Sequence, residues 1–390
     1  MHELARSGSE IPQIENRTFA VRVPETEEAY AKLSAESQAA LRQYSLERTM
    51  GYGIDYADAV ELRSRVLAGQ SWQDAATALA GVCEKFVQHA PKLAGTATRI
   101  AYLRRASALL RISQAMMLSD SDERRAIFKR SIELYAQASE LAGDCSSILI
   151  ETSGGSLAGW YHPADGGAVG SVMVIGGVEG WGMDFSSLAV ALAARGIDAY
   201  MLDGPGQGET RFVHNHYLSQ NWKAAYCAAT DYLSQRRPGL PIGFIGNSMG
   251  GTLAMAYSVT DKRIVACCNN GGPIAPSMVP QDGTFFAKMM SFAGTADRQT
   301  TLDIWRTIDP AETGPNTDYS LLLIHGKQDP LVSNDLADML YQKAPTSDKH
   351  MVTFSDGDHC IYRHKQDRDA LIADWMRTRI AGERWIRHKE

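Results

Sequence analysis

Two hydrophobic patterns divide the chain. Up to about Gly143, apolar residues recur at intervals of three and four within Ala-, Leu-, Arg- and Glu-rich stretches that hold few glycines, the spacing of one buried helix face. It predicts helices over residues 25–49 and 54–68, a third opening at Ser71, and a hairpin of two helices, 96–118 and 122–141, turning at Ser119-Asp120-Ser121. Ser71-Trp72-Gln73-Asp74 has the form of a capping box, and Pro91 and Gly95 separate that helix from the next. In the hairpin, Tyr102, Leu103, Ala106, Leu109, Leu110 and Ile112 are expected to pack against Ile127, Ile132, Leu134, Tyr135 and Ala138.

From Ser146 onward the pattern changes to short β-rich runs punctuated by Gly and Pro. Strands are predicted at 147–151 and 157–161, paired around Gly154-Gly155, and at 171–175, 197–202, 241–245, 263–269, 319–324 and 350–354. Helices fall between them at 184–194, 217–236, 249–259, 335–342 and 368–380. Such alternation implies an α/β fold whose mostly parallel sheet is covered on both faces. Ligand chemistry in such sheets gathers at the carboxyl ends of the strands.

Composition narrows the classes of partner. The 390 residues are 44% hydrophobic and 22% charged, with 39 Lys and Arg against 45 Asp and Glu, a net charge of −6. With no long run of one sign, nothing here concentrates a polyanion, so nucleic acid is not an expected partner. No uninterrupted apolar stretch approaches the roughly 20 residues that cross a bilayer, and the N-terminal residues are too polar for a signal-peptide core. Cys83, Cys145, Cys227, Cys267, Cys268 and Cys360 form no C-x-x-C pair and read as reduced, mostly buried thiols of a cytoplasmic protein. Asn16-Arg17-Thr18 is a formal glycosylation triplet of the kind that arises by chance.

Three strand ends carry chemistry. Gly246-Asn247-Ser248-Met249-Gly250 follows one predicted strand and opens a helix, the strand-turn-helix setting of a G-x-S-x-G nucleophile. His325 to Val332 close the next strand and place Asp329 where an acid can orient a histidine. Asp356-Gly357-Asp358-His359-Cys360 follow the last strand, with His359 the candidate general base and Asp356 and Asp358 competitors of Asp329. A fourth element, Gly176-Gly177-Val178-Glu179-Gly180, stands where the backbone N–H of Val178 would join that of Met249 in an oxyanion hole, each donor being worth about 2.7–4 kcal/mol in the transition state. Glu179 and Trp181 are candidate substrate contacts, with support of the loop an equal reading for Glu179. Gly204-Pro205-Gly206-Gln207-Gly208 lacks the last glycine of a dinucleotide turn, since Glu209 stands there. His214-Asn215-His216 has no accompanying ligands at metal spacing. Both read as loops near the mouth of the site, and no cofactor or metal is expected.

These motifs, with Ala101 to Ser107 and Asp203-Gly204-Pro205-Gly206-Gln207-Gly208-Glu209, resemble the α/β-hydrolases. The resemblance covers nearly the whole chain. It is closest to the branch with an N-terminal helical domain that includes 2,6-dihydroxypseudooxynicotine hydrolase, FrsA-like esterases and fungal polyketide-shortening hydrolases. It implies an eight-stranded sheet from residue 146 to 390 and a helical lid over residues 1–145, with the substrate between them, and often a homodimer. The order Ser248, Asp329, His359 is that of the family's triad, and Glu179 matches an acid near the family's substrate. The implied activity is cleavage of a small acyl or carbonyl compound, leaning to carbon–carbon bonds of ketones or β-dicarbonyls. Ester or thioester hydrolysis, acyl transfer, and a non-catalytic binding role are the alternatives. Residues 273–318 are expected to form a second cover, with Met278, Phe285, Phe286, Met289, Met290, Phe292 and Trp305 supplying apolar surface for a bulky substrate.

Overall fold

The computed structural model describes residues 23–89 and 95–382; the Asn16 triplet and Pro91 lie outside them. Helices come first: α1 (Glu27–Ala31), α2 (Ala35–Gln43), α3 (Leu46–Gly51), α4 (Tyr56–Leu67), α5 (Trp72–Gln88), α6 (Thr96–Ser113) and α7 (Asp122–Ala142). The helix expected over 25–49 is broken into three. The Ser34 and Ser45 hydroxyls accept the backbone N–H groups of Ser37 and Arg48, each at 3.1 Å, so each serine starts a new helix. Ser71 caps α5 through the Asp74 N–H at 3.0 Å. In the hairpin, Leu103, Ala106, Leu109 and Ile112 meet Leu134 and Ala138. Phe128 and Tyr135 turn the other way and pack on Trp181 and Trp160 of the sheet layer.

Eight strands follow, β1 (Ser146–Thr152), β2 (Gly155–His162), β3 (Gly170–Ile175), β4 (Ile197–Leu202), β5 (Ile242–Asn247), β6 (Ile264–Asn270), β7 (Ser320–Gly326) and β8 (Lys349–Phe354), in the order β1-β2-β4-β3-β5-β6-β7-β8. The β1–β2 and β2–β4 pairs are antiparallel, and the remaining five are parallel. Alternate residues of one strand serve opposite layers: Met173 and Ile175 join Phe244 and Leu253, whereas Val172 and Val174 join Leu188 and Trp375. The covering helices are α8 (Ser186–Ala193), α9 (Gly208–Phe212), α10 (Trp222–Arg236), α11 (Met249–Ser258), α12 (Thr284–Ala293), α13 (Arg298–Trp305), α14 (Asn334–Lys343) and α15 (Lys365–Ile380).

The two layers are joined by buried charge as well as apolar contact. Arg111 of α6 donates to Asp184 at 2.7 Å, with both side chains almost wholly enclosed. Asp120, in the α6–α7 turn, accepts Arg211 Nε at 3.0 Å and the Tyr217 hydroxyl at 2.8 Å. Between β6 and β7, α12 and α13 bury Phe286, Met289, Phe292 and Trp305, while Met278 is 81% exposed. All six cysteines are free, and Cys227 is exposed. No helix among the described residues is long and apolar enough to cross a membrane.

Candidate active site

Ser248 sits between the end of β5 and the start of α11 with φ 53° and ψ −131°, a backbone conformation that a residue with a side chain adopts only under constraint. The constraint is close packing. A Cβ on Gly250 would lie 2.2 Å from the Gly176 carbonyl oxygen, and one on Gly177 would lie 2.8 Å from Ser248 Cβ. Glycine at both places therefore lets the 176–180 loop lie directly on the nucleophile turn. Gln207 fastens that loop, donating from Nε2 to the Gly176 carbonyl and, at 2.9 Å, to the Gly177 carbonyl.

His359 Nε2 is 2.8 Å from Ser248 Oγ, and its Nδ1 is 2.7 Å from Asp329 Oδ2. The other Asp329 oxygen accepts the N–H groups of Leu331 and Val332 at 2.7 and 3.1 Å, so the carboxylate is anchored by its own turn. The competing acids are engaged elsewhere: Asp358 accepts the Arg363 N–H at 3.1 Å, and Asp356 pairs with His364 at 2.9 Å. After His359, Cys360 and Ile361 take φ of 61° and 58°. The Cys360 carbonyl accepts Arg368 at 2.7 Å and Asn270 at 3.2 Å, which fixes the histidine loop from beneath. Burial opposes a charged imidazole, but the Cys360 sulfur and the Asp329 carboxylate favour it and hold His359 above the ordinary histidine range. Burial likewise opposes ionisation of Asp329, yet the His359 hydrogen bond and the turn N–H groups keep it below the ordinary carboxylate range. Both shifts are those of a pair that stabilises an imidazolium.

Ser248 and His359 open on a cavity of about 460 Å³ between the helical layer and the sheet. Val178 and Glu179 line it. Trp181 does not: it is 5% exposed and packs edge-on against Phe128 and Phe212, because the chain turns into a 3-10 helix at Gly182–Phe185 and carries the indole into the interlayer core. Of the apolar residues expected in the cover, Phe285 lines the cavity, beside Lys288. Nor do the Gly204–Gly208 and His214–His216 loops stand at the mouth. Gln207 is buried beneath the 176–180 loop, and the His216 ring lies over Gly154 and Gly155.

Much of the opposite wall had no counterpart in the sequence motifs. Gln43 of α2, Arg48 of α3, Tyr52, Lys288 of α12 and Tyr362 all line it. Lys288 donates to Glu179 at 2.7 Å and to Gln43 Oε1 at 2.8 Å, and Gln43 Nε2 donates to the same Glu179 carboxylate. Burial pulls the Lys288 ammonium below the ordinary lysine range, against the Glu179 carboxylate that holds it charged. Glu179 is thus both a cavity residue and the point where helical layer, loop and cover meet.

A family profile described as serine aminopeptidase, S33, matches residues 167–293, the stretch that runs from β3 through the nucleophile turn to α12. The chain has the α/β-hydrolase fold. The chain is 22% identical over 330 residues to 2,6-dihydropseudooxynicotine hydrolase of Paenarthrobacter nicotinovorans, covering 83% of the chain and 88% of the relative. The crystal structure of 2,6-dihydroxy-pseudo-oxynicotine hydrolase superposes with a TM-score of 0.76 at 21% identity, over 87% of this chain and 97% of that one. Wild-type AbyA5 follows at 0.69 and 15%, over 88% and 94%. The sheet and its helices alone cannot account for so much coverage, so the shared fold includes the N-terminal helices.

Proposed function

We propose that this protein is a serine hydrolase that cleaves an acyl compound through an acyl-enzyme on Ser248, and that its scissile bond is the carbon–carbon bond of a ketone or β-dicarbonyl. The hydrogen-bonded run Ser248 Oγ, His359, Asp329, at 2.8 and 2.7 Å on a strained turn facing the cavity, is the observation that carries this reading. Ser248 Oγ attacks the carbonyl carbon as its proton passes to His359 Nε2, with Asp329 steadying the imidazolium. The backbone N–H groups of Met249 and Val178 receive the oxyanion. Collapse breaks the bond between the carbonyl carbon and its neighbour, and the electron pair leaves as an enolate that takes the proton from His359. Water, deprotonated by His359, then attacks the acyl-enzyme, releases a carboxylic acid and restores Ser248. The resemblance to a branch containing carbon–carbon hydrolases supports the choice of bond. The helices α1 to α7 act as the lid.

The test has two parts. A fluorophosphonate probe is expected to label Ser248 and to leave Ser248→Ala unlabelled; an unlabelled wild-type protein would remove the serine-hydrolase reading. Incubation with 1-phenylbutane-1,3-dione should then yield a carboxylic acid and a ketone in equal amounts. Turnover of p-nitrophenyl esters without any diketone cleavage would replace the carbon–carbon assignment by ester hydrolysis.

A further inference from the structure

The cavity wall opposite Ser248 contains a cation with no carboxylate partner among the described residues. Arg48 lines the cavity; its Nε and Nη2 donate to the Tyr52 hydroxyl at 3.1 and 2.9 Å, and its Nη1 to the Gln43 carbonyl at 3.1 Å. Its guanidinium carbon lies 4.8, 5.4 and 5.5 Å from the ring centres of Tyr44, Tyr52 and Tyr362. Among the described residues no Asp or Glu comes within ion-pair distance of it, whereas Arg63, Arg65, Arg105 and Arg111 of the same helical layer each have one. A guanidinium carries five N–H donors. Three are given to the acceptors just named, and one on each terminal nitrogen remains, a spacing that matches the two oxygens of a carboxylate.

The surroundings point the same way. Arg42, Arg48 and Lys288 line the cavity against Glu179 and Asp358, and Glu179 is already taken by Lys288. The phenols tie this cation to the reacting loops: Tyr362, three residues beyond His359, donates to Tyr52 Oη at 3.1 Å, and Tyr52 Oη is 3.5 Å from the Glu179 carbonyl. A group bound at Arg48 therefore has a set position relative to the nucleophile turn and the histidine loop. Resting on the serine-hydrolase reading above, we infer that Arg48 is the specificity-determining residue of this site, and that the substrate is an acyl compound bearing a carboxylate that the Arg48 fork holds while Ser248 attacks its carbonyl. Tyr52 is the positioning residue that orients the fork.

Two probes that differ by a terminal carboxylate in place of a methyl group test this. Wild-type protein is expected to hydrolyse mono-p-nitrophenyl glutarate with a kcat/KM about tenfold or more above that of p-nitrophenyl valerate, as a charge-assisted double hydrogen bond warrants. Arg48→Met should lower the glutarate ester's kcat/KM about tenfold more than the valerate ester's, and Arg48→Lys should recover part of the difference. A merely structural arginine would lower both equally, which would overturn the inference. Because Arg48→Met also loses its bonds to Tyr52 and Gln43, a wild-type measurement stands beside it: free glutarate is expected to protect Ser248 from fluorophosphonate labelling, and glutaramide to give no protection. Labelling that proceeds at one rate with either compound overturns the Arg48 inference and leaves the serine-hydrolase reading intact. A Ser248 that never labels removes both.

Discussion

The two walls of the cavity are built differently. On the sheet side, Ser248, His359 and Asp329 stand on strand ends and turns, and their geometry is enforced by backbone: the Gly250 and Gly177 close approaches, the Leu331 and Val332 N–H groups, and the tethered Cys360 carbonyl. On the helical side, Gln43, Arg48 and Tyr52 reach the cavity as side chains from short helices and a turn, held by one another and by Lys288 and Tyr362 across the gap. On the proposed function, chemistry that demands sub-ångström placement falls on the rigid wall, and recognition on the wall made of longer side chains. A fold organised in this way can change substrate by altering the second wall while the first is kept.

Substitutions separate the two walls in order of effect. Ser248→Ala should lower kcat about 10⁶-fold, the cost of removing the nucleophile of a concerted triad; a loss under a hundredfold would deny the rigid wall its chemistry. Asp329→Asn should cost about 10⁴-fold, whereas Asp358→Asn should stay within about threefold because its carboxylate serves the Arg363 N–H. The same pair gives a pH signature. His359 must be neutral to accept the serine proton and its pKa is raised, so kcat/KM should rise with pH through a midpoint above about 6.5, the ordinary histidine value. Removing the Asp329 charge takes away one of the interactions that raise it, so Asp329→Asn should move that midpoint to lower pH. A midpoint unchanged by Asp329→Asn would mean that another group sets it.

Smaller effects belong to the joint between the walls and to the recognition side. Arg111→Met leaves the Asp184 carboxylate buried without its cation, a loss of about 3–5 kcal/mol that chemical denaturation should read as a lower midpoint. A change under about 0.5 kcal/mol would show that the Arg111–Asp184 pair does not hold the layers together. Tyr52→Phe removes the shared acceptor of Arg48 and Tyr362, worth about 1 kcal/mol or roughly fivefold. That loss should appear in KM rather than kcat, and the opposite split would move Tyr52 to the catalytic wall.

The legibility of the two walls in the sequence differs for the same reason. The sheet wall follows from short-range signals: strand runs ending at Asn247, Gly326 and Phe354, a glycine two residues to either side of Ser248, and the order of nucleophile, acid and base along the chain. All eight strands and most covering helices were readable from alternation and punctuation. The helical wall carries no such marks. Arg48 and Gln43 look like solvent-facing residues of an amphipathic helix until Ser34 and Ser45 break that helix into three and re-aim its pieces. Lys288 interrupts a run of Phe and Met that reads as core. Trp181 misled in the opposite sense, since nearness in sequence to Glu179 suggested a shared cavity and the 3-10 turn at Gly182 separates them.

The sequence by itself determined the layered α/β architecture, the helical layer before it, and which serine stands on the strained strand-to-helix turn, because periodicity, capping and backbone sterics act over a few residues. Only the tertiary structure decided that Asp329 rather than Asp358 meets His359, and that Glu179 is met by Lys288 and Gln43. It alone brought Tyr52 to Tyr362 across 310 positions of chain, beside an arginine that has no acid of its own among the described residues. Such contacts depend on the register in which two packed layers meet, and no local pattern along the chain encodes that register.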